Sequence, residues 1–189
     1  TTVNSRSRAY TANLPTSMSI TIPAGSLSGT ATFTPTDNNS YDGTTNVSFA
    51  VSSVAGSGAV GNTINIHSSA AAEIIGIIEA ESAPTVSLSA SSGSVAEDGS
   101  VITLTATLTG STYTDTTVVL GGTGTATNTS DYTIANITIA AAQTTGTASF
   151  TPIEDNLYEK VAENAIISID SVSGGGATES GDQSVTITI

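Results

Sequence analysis

Gly146-Thr147-Ala148-Ser149-Phe150-Thr151-Pro152 repeats, 117 residues on, the earlier stretch Gly29-Thr30-Ala31-Thr32-Phe33-Thr34-Pro35. In each copy hydroxyl-bearing residues alternate with alanine and phenylalanine, the period-two pattern of a strand with one buried face. In the same frame Ile137-Thr138-Ile139-Ala140-Ala141-Ala142 repeats Ile20-Thr21-Ile22-Pro23-Ala24-Gly25, and the frame runs on to Tyr41 and Tyr158. Past that point a one-residue shift pairs Val54-Ala55-Gly56 with Val172-Ser173-Gly174. A further indel pairs Thr63-Ile64-Asn65-Ile66 with Thr186-Ile187-Thr188-Ile189. Two copies of one module follow, each long enough to close its own core.

Outward from Phe150 the second copy reads as seven strands. These are Val86–Ala90 (A), Ile102–Leu108 (B), Thr117–Leu120 (C), Ile137–Ile139 (D), Thr147–Thr151 (E), Ala165–Val172 (F) and Val185–Ile189 (G), separated by turn-rich segments. That order predicts an all-β chain of two tandem immunoglobulin-like antiparallel β-sandwiches; a closed barrel is the weaker alternative. The first copy begins at the equivalent of strand C and so lacks its first two strands, which leaves apolar surface and a strand edge open to pairing with another chain. Either the chain is an internal piece of a longer array, or a neighbouring molecule donates the strands. The expected division is residues 1–69 for the incomplete module, 70–83 for a connector and 84–189 for the complete module. The connector's Glu73-Ile74-Ile75-Gly76-Ile77-Ile78 is too apolar for a free linker. It could extend strand G, be lent across the junction, or form a short helix; its paired isoleucines and Gly76 favour an extended segment.

The composition agrees with thin aliphatic cores: 38% of the 189 residues are hydrophobic, but only 3 Phe and 5 Tyr are aromatic and Trp is absent. Three basic residues face 16 acidic ones, for a formal charge of −13. Phosphate backbones would be repelled, which argues against nucleic acid as a partner. Arg6 and Arg8 balance Asp37 and Asp42, so the net charge resides in the connector and second module. With no cysteine there are no disulfides, iron–sulfur clusters or thiol catalysis. No apolar run reaches the roughly 18 residues of a membrane helix, so membrane insertion is not expected. Gly174-Gly175-Gly176 has no following lysine or helix to make a phosphate loop, and His67 stands alone.

The acids of the second module collect in turns: Glu97-Asp98 between A and B, Asp131 between C and D, and Glu154-Asp155, Glu159 and Glu163 between E and F. Alternate connections of an up-and-down path lie at the same end of a sandwich, so all three should meet at one pole. Lys160 is the single base nearby. Carboxylates about 4 Å apart repel by roughly 4 kcal/mol at an effective dielectric of about 20. A flexible ring of carboxylates and carbonyls suits a hard cation taking roughly 6–8 oxygen ligands, which points to calcium over magnesium. Zinc has no histidine or cysteine ligands to support it. Solvated acidic turns that merely look like a site are the competing reading.

Several of these stretches form a set: alternating strand A, Val95-Ala96-Glu97-Asp98-Gly99, Gly124-Thr125-Ala126 ahead of Ser130-Asp131-Tyr132, Ile137 to Gln143, and Glu154-Asp155-Asn156-Leu157-Tyr158-Glu159. Together they resemble the Calx-beta family across Pro84–Ile189, and across the C-terminal two-thirds of such a module in residues 1–69. The resemblance implies immunoglobulin-like sandwiches in tandem, found in large bacterial surface and adhesion proteins and in animal exchangers and receptors, some of them calcium-binding. It implies calcium ligands at Glu97, Asp131, Glu154, Asp155 and Glu159. Glu163 is a weaker match, because its spacing is one residue too long. Glu154-Asp155 stands where the family usually has Asp-Asp, and the ligands that calcium-binding members take from just after strand G lie past Ile189. In the first module Asn38, Asn39 and Gly43 replace acids and Leu14 stands where Asp131 is expected, leaving a weak junction site of Asp37, Asp42 and a connector glutamate as an option.

The function expected is that of a non-enzymatic structural or adhesive repeat of an extracellular, cell-surface or filament protein, stiffened by Ca2+ at module ends. Its partners would be neighbouring modules of the same or another copy, including strand donation to the first module. The alternative is a ligand- or partner-binding module working by strand complementation or glycan recognition. Paired carboxylates alone, without a cleft, give little basis for glycoside hydrolysis.

Overall fold

Strict alternation in Ile102–Leu108 puts Ile102, Leu104, Ala106 and Leu108 on one face, and all four are buried in the computed structural model of the chain. The structure describes residues 2–5, 17–56, 65–67, 70–155 and 161–189. The described residues are all-β, without a helix, and fall into two compact units. None contains a helix long and apolar enough to cross a membrane.

The first unit, Thr1–Asn38 with Gly43–Ala80, holds a three-stranded antiparallel sheet of β1 (Thr2–Ser5), β2 (Thr45–Ala50) and β3 (Glu73–Ile77), with β2 in the middle. β3 comes from the apolar connector and is extended, running antiparallel to β2 with Val47 opposite Ile75. Its core among the described residues consists of Val47 and Ile77, with Phe33 and Phe49 packed against them. The two rings meet at 5.0 Å.

The second unit, Glu81–Ile189 together with Asn39–Asp42, is a two-sheet sandwich. One sheet orders β12 (Ser184–Thr188), β10 (Asn164–Ser173), β6 (Thr116–Gly124) and β8 (Ile137–Ile139). The other orders β11 (Thr178–Glu179), β4 (Thr85–Ala90), β5 (Ile102–Leu108), β9 (Thr145–Pro152) and β7 (Tyr132–Ile134). Every ladder is antiparallel except the two-residue β11–β4 pairing. Between the sheets lies a continuous core that includes Val86, Leu104, Val118, Ile137, Ile139, Phe150, Ile167 and Ile187. Strands A to G of the sequence reading correspond in order to β4, β5, β6, β8, β9, β10 and β12; β7 and β11 are additional short edge strands.

Two local features serve the site. The β10–β6 ladder slips at Asp170, between the Ile169–Leu120 and Ser171–Val119 pairs, and Gly121 leaves room for the Asp170 carboxylate that lies over it. Asn39–Asp42 joins the second unit as a short parallel bridge, with Tyr41 N–H donating to Ser111 O (2.9 Å) and Tyr113 N–H to Tyr41 O (3.1 Å).

Candidate functional site

The A–B connection is anchored to the end of β12. Val95 N–H donates to Thr188 O at 2.9 Å, and Thr188 N–H donates to Gly93 O at 3.0 Å. Within it, Gly99 N–H closes a turn onto Ala96 O at 2.8 Å and lifts Glu97 and Asp98 to the turn's tip. Gly99 is required there, since a Cβ would come 2.6 Å from Ala96 O and 2.7 Å from Val95 Cγ2.

The same end collects the other connections. Glu163 and Ile189 exchange backbone hydrogen bonds of 3.1 and 2.9 Å, closing the start of β10 against the end of β12. Thr125 and Ala126 N–H both donate to Asn164 O, while Asn164 N–H donates to Thr125 Oγ1 at 2.8 Å. Thr188 Oγ1 bonds Asn164 Oδ1 at 2.9 Å. Ile153 N–H donates to Asp131 O at 2.9 Å, which sets the C–D turn beside the exit of β9. Asn164, Thr125 and Thr188 form a polar clasp that sequence reasoning did not single out; the one signal was an Asn at a strand start following acids.

At this pole Glu97, Glu154 and Asp155 each present a carboxylate oxygen, and these oxygens lie within 4.8 Å of one another. Glu97 is half-buried; Glu154 and Asp155 are exposed. Oxygens on one calcium ion, each about 2.3–2.6 Å from it, lie no more than roughly 5 Å apart, so the donor set and its spacing fit such an ion. Like charges at this separation repel by about 1 kcal/mol per pair in bulk water and severalfold more where solvent is excluded. The exposure of Glu154 and Asp155 puts the cluster near the lower figure. The arrangement can gather a hard cation; among the described residues it has no histidine or cysteine for a softer one.

The remaining residues named from sequence are placed as follows. Asp131 lies at the same pole, but its carboxylate accepts the N–H of Thr127, four residues back, and Thr127 O in turn accepts Ser130 and Asp131 N–H. Its acid therefore shapes the turn that delivers Tyr132 to the core. Glu163 is half-buried at the start of β10, outside the three-carboxylate group. Glu159, with Lys160 and Tyr158, lies outside the described residues. Tyr132 is fully buried and stacked on Phe150 at 4.7 Å and 16°. Burial, and secondly the charge of Asp131, hold its phenol above its ordinary pKa.

No known family model matches the chain, and no curated protein matches it.

Proposed function

We propose that this chain is a non-enzymatic repeat segment of a large extracellular surface or filament protein, built of Calx-beta-like modules. In this reading calcium binds at the acidic pole of the second module and stiffens it by neutralising Glu97, Glu154 and Asp155. The observation that carries the reading is the meeting of the A–B and E–F acids at 4.8 Å on one end of a sandwich, in a chain that repeats its own sequence. Three carboxylates supply part of the roughly 6–8 ligands calcium takes, and an exposed partial shell belongs to the weak range of about 0.1–1 mM typical of extracellular modules.

Thermal unfolding tests it. Calcium at about ten times its Kd should stabilise the second unit by about 1.4 kcal/mol, or roughly 5–10 °C in Tm for a domain of about 100 residues. Chelator should reverse the shift, and E154Q with D155N should abolish it. An equal response to sodium chloride at matched ionic strength, or no shift at millimolar calcium, rejects the calcium part.

Glycan recognition has less support. Among the described residues Tyr113, 38% exposed, is the one aromatic on the surface more than a third accessible, too little for a stacking platform.

A further inference from the structure

The two copies of the D–turn–E sequence have the same local structure and different surroundings. In the second unit Gln143 N–H donates to Ala140 O at 3.0 Å; in the first, Ser26 N–H donates to Pro23 O at 3.0 Å, the same bond at the equivalent residues. The next residue of the turn is left-handed in both, φ 62° at Ala142 and 82° at Gly25. Gly146 lies so close to the Thr138 carbonyl that a Cβ would strike it, and Gly29 lies just as close to the Thr21 carbonyl. The corner is therefore already formed in both copies.

Its cover is present in only one. In the second unit β9 pairs with β5, with Ile102 opposite Phe150, Leu104 opposite Ala148 and Ala106 opposite Gly146, and Ile137 and Ile139 are 0% exposed. In the first unit Met18–Asn38 forms no strand. Ile20 and Ile22, the equivalents of those isoleucines, are 49% and 57% exposed, and Leu27 is fully exposed. Residues 1–69 contain no sequence equivalent to the β4–β5 hairpin, Thr85–Leu108.

We propose that this preformed corner is an acceptor for a β-hairpin with the apolar–hydroxyl alternation of Thr85–Leu108, supplied by another polypeptide. The incoming strand runs antiparallel to Ser28–Phe33, with its equivalents of Ile102, Leu104 and Ala106 opposite Phe33, Ala31 and Gly29, and it covers Ile20 and Ile22. The internal repeat identifies the occupant, since the same sequence in the same local conformation is covered by that element in the second unit. A second folded copy is a poor donor, because its own hairpin carries Val86, Leu88, Ile102, Leu104, Ala106 and Leu108 in the core and withdrawing it would open that sandwich. The inference rests on the chain being a repeat segment and is independent of calcium; a failed calcium response leaves it standing.

The test uses the full chain in two forms, one mixed with a synthetic peptide of residues 84–109 and one with residues 84–117 fused ahead of Thr1. The expected result is one-to-one peptide binding and at least about tenfold slower amide exchange in residues 18–35, in the mixture or the fusion. Ala31 is exposed and its equivalent Ala148 faces the core. A31E should therefore leave unfolding of the free chain unchanged yet weaken binding by at least about tenfold, because docking would bury a charge. T30E, on the opposite face, should retain binding. Unchanged exchange in both peptide mixture and fusion overturns the proposal, as does equal binding by A31E. Concentration-dependent dimerisation of the free chain with protection of residues 18–35 would assign the face to a second copy and also overturns it.

Discussion

Ala142 and Gly25 occupy one turn position in the two repeats, and only glycine adopts φ near 62–82° without a Cβ penalty. A left-handed alanine costs about 1–2 kcal/mol, of which a glycine's extra unfolded-state freedom returns roughly half. A142G should accordingly stabilise the second unit by about 0.5–1 kcal/mol, read as a higher urea midpoint at unchanged m. Tyr132 gives the opposite kind of test. Its hydroxyl is buried without a hydrogen-bond partner and sits over Gly122, where a Cβ would collide with it. G122A should cost about 1–3 kcal/mol by overpacking, while Y132F should be neutral or mildly stabilising and should recover most of the loss in the double mutant. The sign of the pH dependence follows from the raised folded-state pKa. The contribution is fully present below the unfolded tyrosine's pKa of 10.0. It is lost as pH rises further, at up to about 1.4 kcal/mol per unit, because the unfolded chain ionises first. Y132F should flatten that alkaline slope in denaturant titrations between about pH 9.5 and 11.

At the scale of elements, identical motifs in different surroundings should have different energies. I139A removes a fully buried side chain and should destabilise by about 2–5 kcal/mol. I22A, at the matching position but more than half exposed, should stay within about 0.5 kcal/mol, and chemical denaturation of the two variants compares them directly. Strands β4, β5, β8, β9, β10 and β12 were legible because their alternation is long or repeated. β7 and β11 were not, because two or three residues carry no period and are held only as edges by Thr133–Thr151 and Thr178–Thr85 pairing. β6 runs through Gly121, Gly122 and Gly124, which propensity alone would end early. The glycines are there because Asp170, Tyr132 and Asn164 occupy the space above them. Of the candidate site, Glu97, Glu154 and Asp155 could be read from turn position and topology. The engagement of Asp131's carboxylate by Thr127 N–H could not, since it depends on a turn geometry that Thr-Asn-Thr-Ser-Asp does not encode by itself.

For the molecule as a whole, the cores and the charges are distributed in opposite ways to what stability alone would favour. The first unit balances its charges across residues 1–69 but rests on Val47 and Ile77 with two phenylalanines. The second carries most of the acidic excess but has a continuous two-sheet core. Burial scales with the free energy available to offset chain entropy, so the first unit should unfold at lower urea and with a smaller m than the second. Two transitions are expected, and amide exchange at intermediate urea should show residues 17–56 and 73–77 open while β4 to β12 remain protected. Added sodium chloride should raise mainly the second midpoint by screening repulsion among exposed acids. Calcium should move that midpoint further than magnesium at equal ionic strength, while leaving the first in place, because the three-carboxylate group belongs to the second unit. One merged transition would mean that the thin core of the first unit is not the weak point its burial implies. A calcium shift confined to the first transition would place the cation away from Glu97, Glu154 and Asp155.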